Sequence, residues 1–129
     1  MARNDRRGLT LVELLVVAVI IGILAAIAIP RLSTTKDKAK LAAVKSDLHA
    51  LQVSQEAHLA AYGTYGTLAQ LTTRTRLTLS AGNTAAAAAT TSGYTVTVTN
   101  ASISTGFKKC QVTVGRGSAP TVDGKFICS

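Results

Sequence analysis

The stretch from Leu9 to Ile29 is almost wholly apolar, and it constrains this chain more than any other feature. As a helix it is long enough to cross a bilayer core of about 30 Å. One residue does not fit that use. Glu13 places a carboxylate inside the run, where facing lipid costs on the order of 2–3 kcal/mol or more. A simple anchor has no need of it, so Glu13 is expected to have a partner elsewhere.

The chain has 129 residues, so about a hundred remain outside the run. That allows a modest core and no large enzyme cleft. The net charge is +8, with Arg3, Arg6 and Arg7 before the run and Arg31, Lys36, Lys38 and Lys40 after it. Basic flanks beside an apolar helix suit anionic lipid headgroups. Nucleic acid is the weaker reading, because the chain has no Trp and its aromatics are only 4%, too few to stack bases. Cys110 and Cys128 are the only cysteines. An even pair behind an export segment suggests a disulfide in an oxidising space, the alternative being two buried thiols.

Basic residues ahead of an apolar run are also the plan of a secretory signal. Ala26-Ile27-Ala28 offers a cleavage site for one, and Arg6-Arg7 is faintly similar to a twin-arginine signal. Against both, the run exceeds a usual signal core, contains Glu13, and is followed by more helical pattern. A third reading rests on Gly8-Leu9-Thr10-Leu11-Val12-Glu13-Leu14-Leu15-Val16-Val17, which resembles the class III signal of type IV pilins and their relatives. The resemblance implies cleavage by a prepilin peptidase after Gly8 and N-methylation of Leu9. It makes Glu13 the fifth mature residue, where that family has a glutamate. Pro30 matches the family's proline at the end of the apolar segment, and helix between Gly22 and Pro30 can be lost there when subunits pack. Leu9 departs from the family's usual phenylalanine. The resemblance is specific over Gly8–Leu32 and looser to about Leu71.

Pro30 lacks an N–H and crowds the turn before it, so a kink or local melting is expected there, with Gly22 a second weak point. Beyond Pro30 the pattern is helical to Tyr62. Leu41, Val44, Leu48 and Leu51 fall on one stripe, and Asp37, Asp47 and Glu56 are expected to face solvent. His49 and His58 lie on different faces, which argues against a metal site and for solvated or interface side chains. Gly63 is a natural stop. Gly63–Thr67 reads as a loop, with Leu68 and Leu71 packing on the helix end. Tyr94, Val96 and Val98 alternate with Thr95, Thr97 and Thr99, a strand with one buried face. Cys110, Val112 and Val114 repeat the pattern. Lys125–Cys128 reads as a short last strand and Leu77–Leu79 as a candidate first one. Ala85–Ala89 is ambiguous between helix, strand and loop. A Cys110–Cys128 bond would tie the C-terminus to the sheet.

The expected fold is α+β: a long N-terminal helix packed on a small C-terminal antiparallel sheet. Its divisions are a leader over 1–8, a membrane or filament-core helix over 9–30, an amphipathic helix over 31–62, and a loop and sheet over 63–129. No nucleophile elbow, paired carboxylates or phosphate-binding glycine loop is present, so no enzyme activity, metal or cofactor is expected. The resemblance implies a structural subunit of a type IV pilus, for adhesion, motility or DNA uptake. Its implied partners are other pilin subunits, prepilin peptidase, the inner-membrane assembly machinery and, before assembly, membrane lipid. The basic surface leaves DNA binding by the filament open. The implied location is the bacterial inner membrane, N-terminus in the cytoplasm, and then an extracellular filament. The alternatives are a type II secretion pseudopilin and a monomeric membrane-anchored binding module.

Overall fold

The computed structural model describes residues 8–115 and 124–129. The expected leader lies, apart from Gly8, outside the described residues. Helix α1 spans Leu11–Tyr62 and continues through Gly22 and Pro30. It belongs to two compact units that divide between Thr35 and Lys36.

In the first unit the helix is bare. From Leu11, 78% exposed, to Val16, 48% exposed, and on to Leu32 at 57%, the large apolar side chains are left uncovered by the described residues. Among the described residues this is the one helix long and apolar enough to span a membrane. So many exposed leucines, valines and isoleucines are stable only against lipid or other protein.

The second unit, from Lys36 onward, is α+β. A short helix α2 covers Leu68–Arg74. Strands β1 (Asn83–Ala89), β2 (Tyr94–Asn100), β3 (Lys109–Val114) and β4 (Ile127–Cys128) follow. They form one antiparallel sheet in the order β1-β2-β3-β4. Helix α1 presents Val44, Leu48 and Leu51 to Val96, Val98 and Val112, with Leu71 and Tyr94 closing the core. The stripe and the alternation read from the sequence therefore meet as expected, and Leu71 is fully buried.

One ambiguity is resolved and two sequence expectations change. Ala85–Ala89 is strand, because pairing with β2 overrides the helix preference of alanine. Leu77–Leu79 forms no strand; Leu77 and Leu79 pack on the core from irregular chain instead. The last strand shortens to Ile127–Cys128, facing Gln111 and Cys110. Cys110 and Cys128 are disulfide-bonded. A loop of this size restricts the unfolded chain by about 3 kcal/mol in the entropy account.

Of the three acids expected in solvent, Glu56 is exposed but Asp37 and Asp47 are buried. Asp37 accepts from the Ser104 N–H (3.1 Å), the Thr105 N–H (2.9 Å) and the Thr105 hydroxyl (2.8 Å). Lys40 stands 3.7 Å from the same carboxylate and donates to the Ser102 carbonyl. Asp47 accepts from the Ser80 N–H and hydroxyl, both at 2.8 Å, and from Asn83 Nδ2 at 2.6 Å. Asn83 in turn accepts from Asn100, whose amide oxygen takes the Ser102 N–H and hydroxyl. Each acid thus clamps a loop at one end of the sheet to the helix. Strand-end N–H groups need acceptors once they leave the ladder, and a helical carboxylate supplies them.

The Thr105 hydroxyl, then the Thr105 N–H, hold the Asp37 carboxyl below its ordinary value of 3.8. A depressed carboxylate contributes stability above its unfolded value and loses it as pH falls through the folded one. Asp37→Asn should therefore be less stable than the natural protein at neutral pH, with the gap closing below about pH 4. Urea midpoints of the detergent-solubilised chain against pH check this. A gap that persists in acid would refute it.

His58 is also buried, against the solvated or interface reading. Its Nδ1 lies 2.8 Å from the Thr64 carbonyl and its Nε2 lies 3.3 Å from the Arg74 guanidinium. A carbonyl only accepts and a guanidinium only donates, so the ring carries its proton on Nδ1. Gln55 holds both the N–H and the carbonyl of Gly66. A Cβ at Gly66 would come 2.9 Å from the His58 ring, so this loop requires glycine for close approach.

Candidate functional site

The residues that carried the functional reading cluster at the start of α1. Thr10 precedes the helix and Glu13 lies in its first turn. Glu13 accepts from the Thr10 N–H at 2.8 Å and the Thr10 hydroxyl at 2.9 Å. The Glu13 N–H donates back to the Thr10 hydroxyl at 3.2 Å. This is a reciprocal capping box of the form Thr-x-x-Glu. It satisfies N–H groups that a helix start otherwise leaves orphaned. A carboxylate in the first turn also meets the positive end of the helix dipole.

Sequence reasoning assigned Glu13 a distant partner and passed over the near one. The signal was present in the spacing of Thr10 and Glu13 ahead of an apolar run, and Thr67-x-x-Gln70 repeats it at α2, where the Thr67 N–H donates to Gln70 at 2.8 Å. The local bonds do not enclose Glu13. A shallow groove lined by Leu9, Val12, Glu13, Val16 and Val17 leaves the carboxylate beside an open apolar surface. The pair can hold Glu13 in one chain and still give it up to a stronger donor.

Gly8 and Leu9 lie just ahead of the helix, both exposed. A Cβ added at Gly8 would meet nothing within 4 Å, and the same holds at Gly22. Neither glycine is demanded by the chain's own packing. Pro30 lies inside α1. Cys110 is fully buried in the core, and its bond to Cys128 ties β4 to β3. Among the described residues no group of His, Cys, Asp and Glu is arranged to hold a metal ion.

The profile of the prokaryotic N-terminal methylation motif matches residues 3–29, which contain Gly8, Leu9, Glu13 and Gly22. The N-terminal segment is therefore of prepilin type. The chain is 50% identical over 52 residues to the type II secretion system core protein G of Klebsiella michiganensis, across 40% of this chain and 37% of that one. It is 43% identical over 51 residues to the core protein G of Pseudomonas aeruginosa, across 40% and 36%. It is 48% identical over 50 residues to the type IV major pilin protein PilA of Myxococcus xanthus, across 39% and 23%. The match thus spans little more than a third of the length of the core G relatives and less of the pilin.

The open space at Gly8 gives a sharp expectation about processing. On the expected cleavage after Gly8, Gly8→Val should block it and leave the folded C-terminal unit unchanged. Mass spectrometry of membrane-inserted protein reads this directly, and a mature chain beginning at Leu9 in that variant would refute it.

Proposed function

We propose that this chain is a structural subunit of a pseudopilus of the type II secretion kind. The observation that carries the reading is the first unit: a methylation-motif segment whose large apolar side chains, from Leu9 to Leu32, are exposed among the described residues. The leader ends at Gly8 and a peptidase cuts before Leu9, whose new amine is then methylated. The subunit waits in the inner membrane with its N-terminus in the cytoplasm and residues 9–30 in lipid. Assembly machinery then moves it into a growing filament, where the apolar helices exchange lipid for one another. The charge of Glu13, released from Thr10, pairs with the Leu9 amine of a neighbour and sets axial register. Gly22 and Pro30 are where the helix gives as neighbours close in. The disulfide-tied sheet forms the outer surface.

The likeness to core protein G favours a pseudopilus over the surface pilus that the sequence suggested. The second reading, a type IV pilus subunit, has support in the likeness to the Myxococcus major pilin. Such a pilus would serve adhesion, motility or DNA uptake. One deletion strain separates the two. Loss of secreted enzymes with surface fibres unchanged supports the pseudopilus. Loss of sheared surface fibres whose main band begins at methylated Leu9 supports the pilus. A chain that stays monomeric in the membrane and leaves both phenotypes normal would refute a filament role.

A further inference from the structure

The sheet has two edges of different kinds. At one edge stands β4, only Ile127–Cys128, bonded to β3 through the disulfide and through Ser129 paired with Lys109. It is too short to template another strand. At the other edge stands β1, Asn83–Ala89, with a strand on one side only and α2 packed nearby.

The backbone of β1 shows which groups it leaves free. The Thr90 N–H donates to the Gly93 carbonyl at 2.8 Å, closing the β1–β2 hairpin. Bonded pairs alternate along an antiparallel ladder. Ala88, Ala86 and Thr84 therefore bond towards Thr95, Thr97 and Thr99. Ala85, Ala87 and Ala89 turn their N–H and carbonyl groups outward. Asn83 also turns outward, and its N–H already bonds to Ser80. Sheet proteins usually blunt such an edge with lysine, proline or a bulge. This strand reads Asn-Thr-Ala-Ala-Ala-Ala-Ala and has no charge and no proline.

We propose that β1 is a docking edge for a second copy of this chain, paired antiparallel about Ala87 to join two sheets into one of twice the width. Two observations select a copy over a foreign strand. The first is charge. Each chain carries +8, yet no charged residue occurs from Leu77 to Phe107. The strand itself adds no charge to the meeting of two like-charged copies, and Arg74 of the nearby α2 is engaged on the Tyr62 ring and with His58. The second is self-complementarity. Centred on Ala87, the register sets Ala87 against its own copy and Ala85 against the partner's Ala89. It forms about six main-chain bonds. Methyl side chains let the strands meet without a clash on either face. Because β4 offers no second open edge, the pairing closes at two and does not propagate. Neighbours along a polar filament are related by a screw operation, not by the two-fold axis this contact needs. On the filament reading, then, the edge joins subunits of adjacent filaments or unassembled subunits. The contact itself does not depend on that reading.

The test uses full-length chains in detergent carrying Ala86→Cys or Ala88→Cys, both exposed positions. The register places residue 86 opposite the partner's 88 in a non-bonded pair, with Cα atoms about 4.5 Å apart, within disulfide reach. On mild oxidation a mixture of the two variants should cross-link several-fold more than either alone, as read on a non-reducing gel and by peptide mass spectrometry. Equal yields from mixture and single variants, as a contact through the apolar helices would give, would overturn the proposal. So would no cross-link at all. Ala87→Pro, introduced into both cysteine variants, removes an outward N–H that β2 does not use. The mixed cross-link should then fall to the level of the single variants while circular dichroism is unchanged. A cross-link undiminished by proline would overturn the register.

Discussion

Glu13→Ala should be cleaved at Gly8, methylated at Leu9 and inserted in the membrane, yet assemble at roughly a hundredth of the natural level or less. Removing one partner of a desolvated charge pair costs about 3 kcal/mol or more, and each 1.4 kcal/mol is about tenfold in an equilibrium constant. The structure makes a finer version of the test available. Glu13 already has a partner in Thr10. A neutral Glu13→Gln side chain can still accept from the Thr10 N–H, so it keeps most of the cap and loses the charge. If charge pairing between subunits drives assembly, Glu13→Gln should fail nearly as badly as Glu13→Ala. Filament yields from the glutamine variant equal to the natural protein's would show that the cap suffices and would sink the pairing. Thr10→Val is the complementary variant. It removes the hydroxyl of the box and keeps the carboxylate. Its filaments should therefore form, because the intermolecular pair is intact.

Asp47→Ala is expected to destabilise the C-terminal unit by about 3–5 kcal/mol. The buried carboxylate takes three hydrogen bonds, from the Ser80 N–H, the Ser80 hydroxyl and the Asn83 amide. Bonds to a charged acceptor contribute roughly 1.5–3 kcal/mol each. Water entering the space left by the side chain recovers part of that. The cost is well above the ±0.5 kcal/mol typical of an exposed substitution, which is what the sequence alone would have led one to expect here. Guanidinium denaturation of the full chain, followed by circular dichroism, measures the difference. A change below about 1 kcal/mol would mean that the loop from Ser80 to Asn83 is held by something else. Asp47→Asn separates charge from geometry, since its amide oxygen can still accept while its NH2 faces another donor.

The elements of this fold were legible wherever local periodicity carried the information. The stripe of Val44, Leu48 and Leu51 and the alternation of Tyr94, Val96 and Val98 each follow from the geometry of one element. The core they form together is the core observed. Ala85–Ala89 was illegible for the same reason: alanine alone has no period, and only the neighbouring β2 decides its state. The buried acids were illegible for a different reason. Asp37 meets Thr105 across 68 residues and Asp47 meets Asn83 across 36. No local pattern separates a helical aspartate that faces water from one that caps a distant strand end.

By itself the sequence determined the N-terminal segment. A bare apolar helix with one acid five residues past Gly8 is a matter of composition and spacing, and chemistry at that scale does not depend on the rest of the fold. Even the bond between Thr10 and Glu13 follows from one turn of helix. Tertiary structure decided the rest. It turned Asp37, Asp47 and His58 inward because strand ends and loops left polar groups that needed partners once water was excluded. It also left the edge of β1 open, because whether a strand is internal or terminal is a property of the sheet and not of the strand.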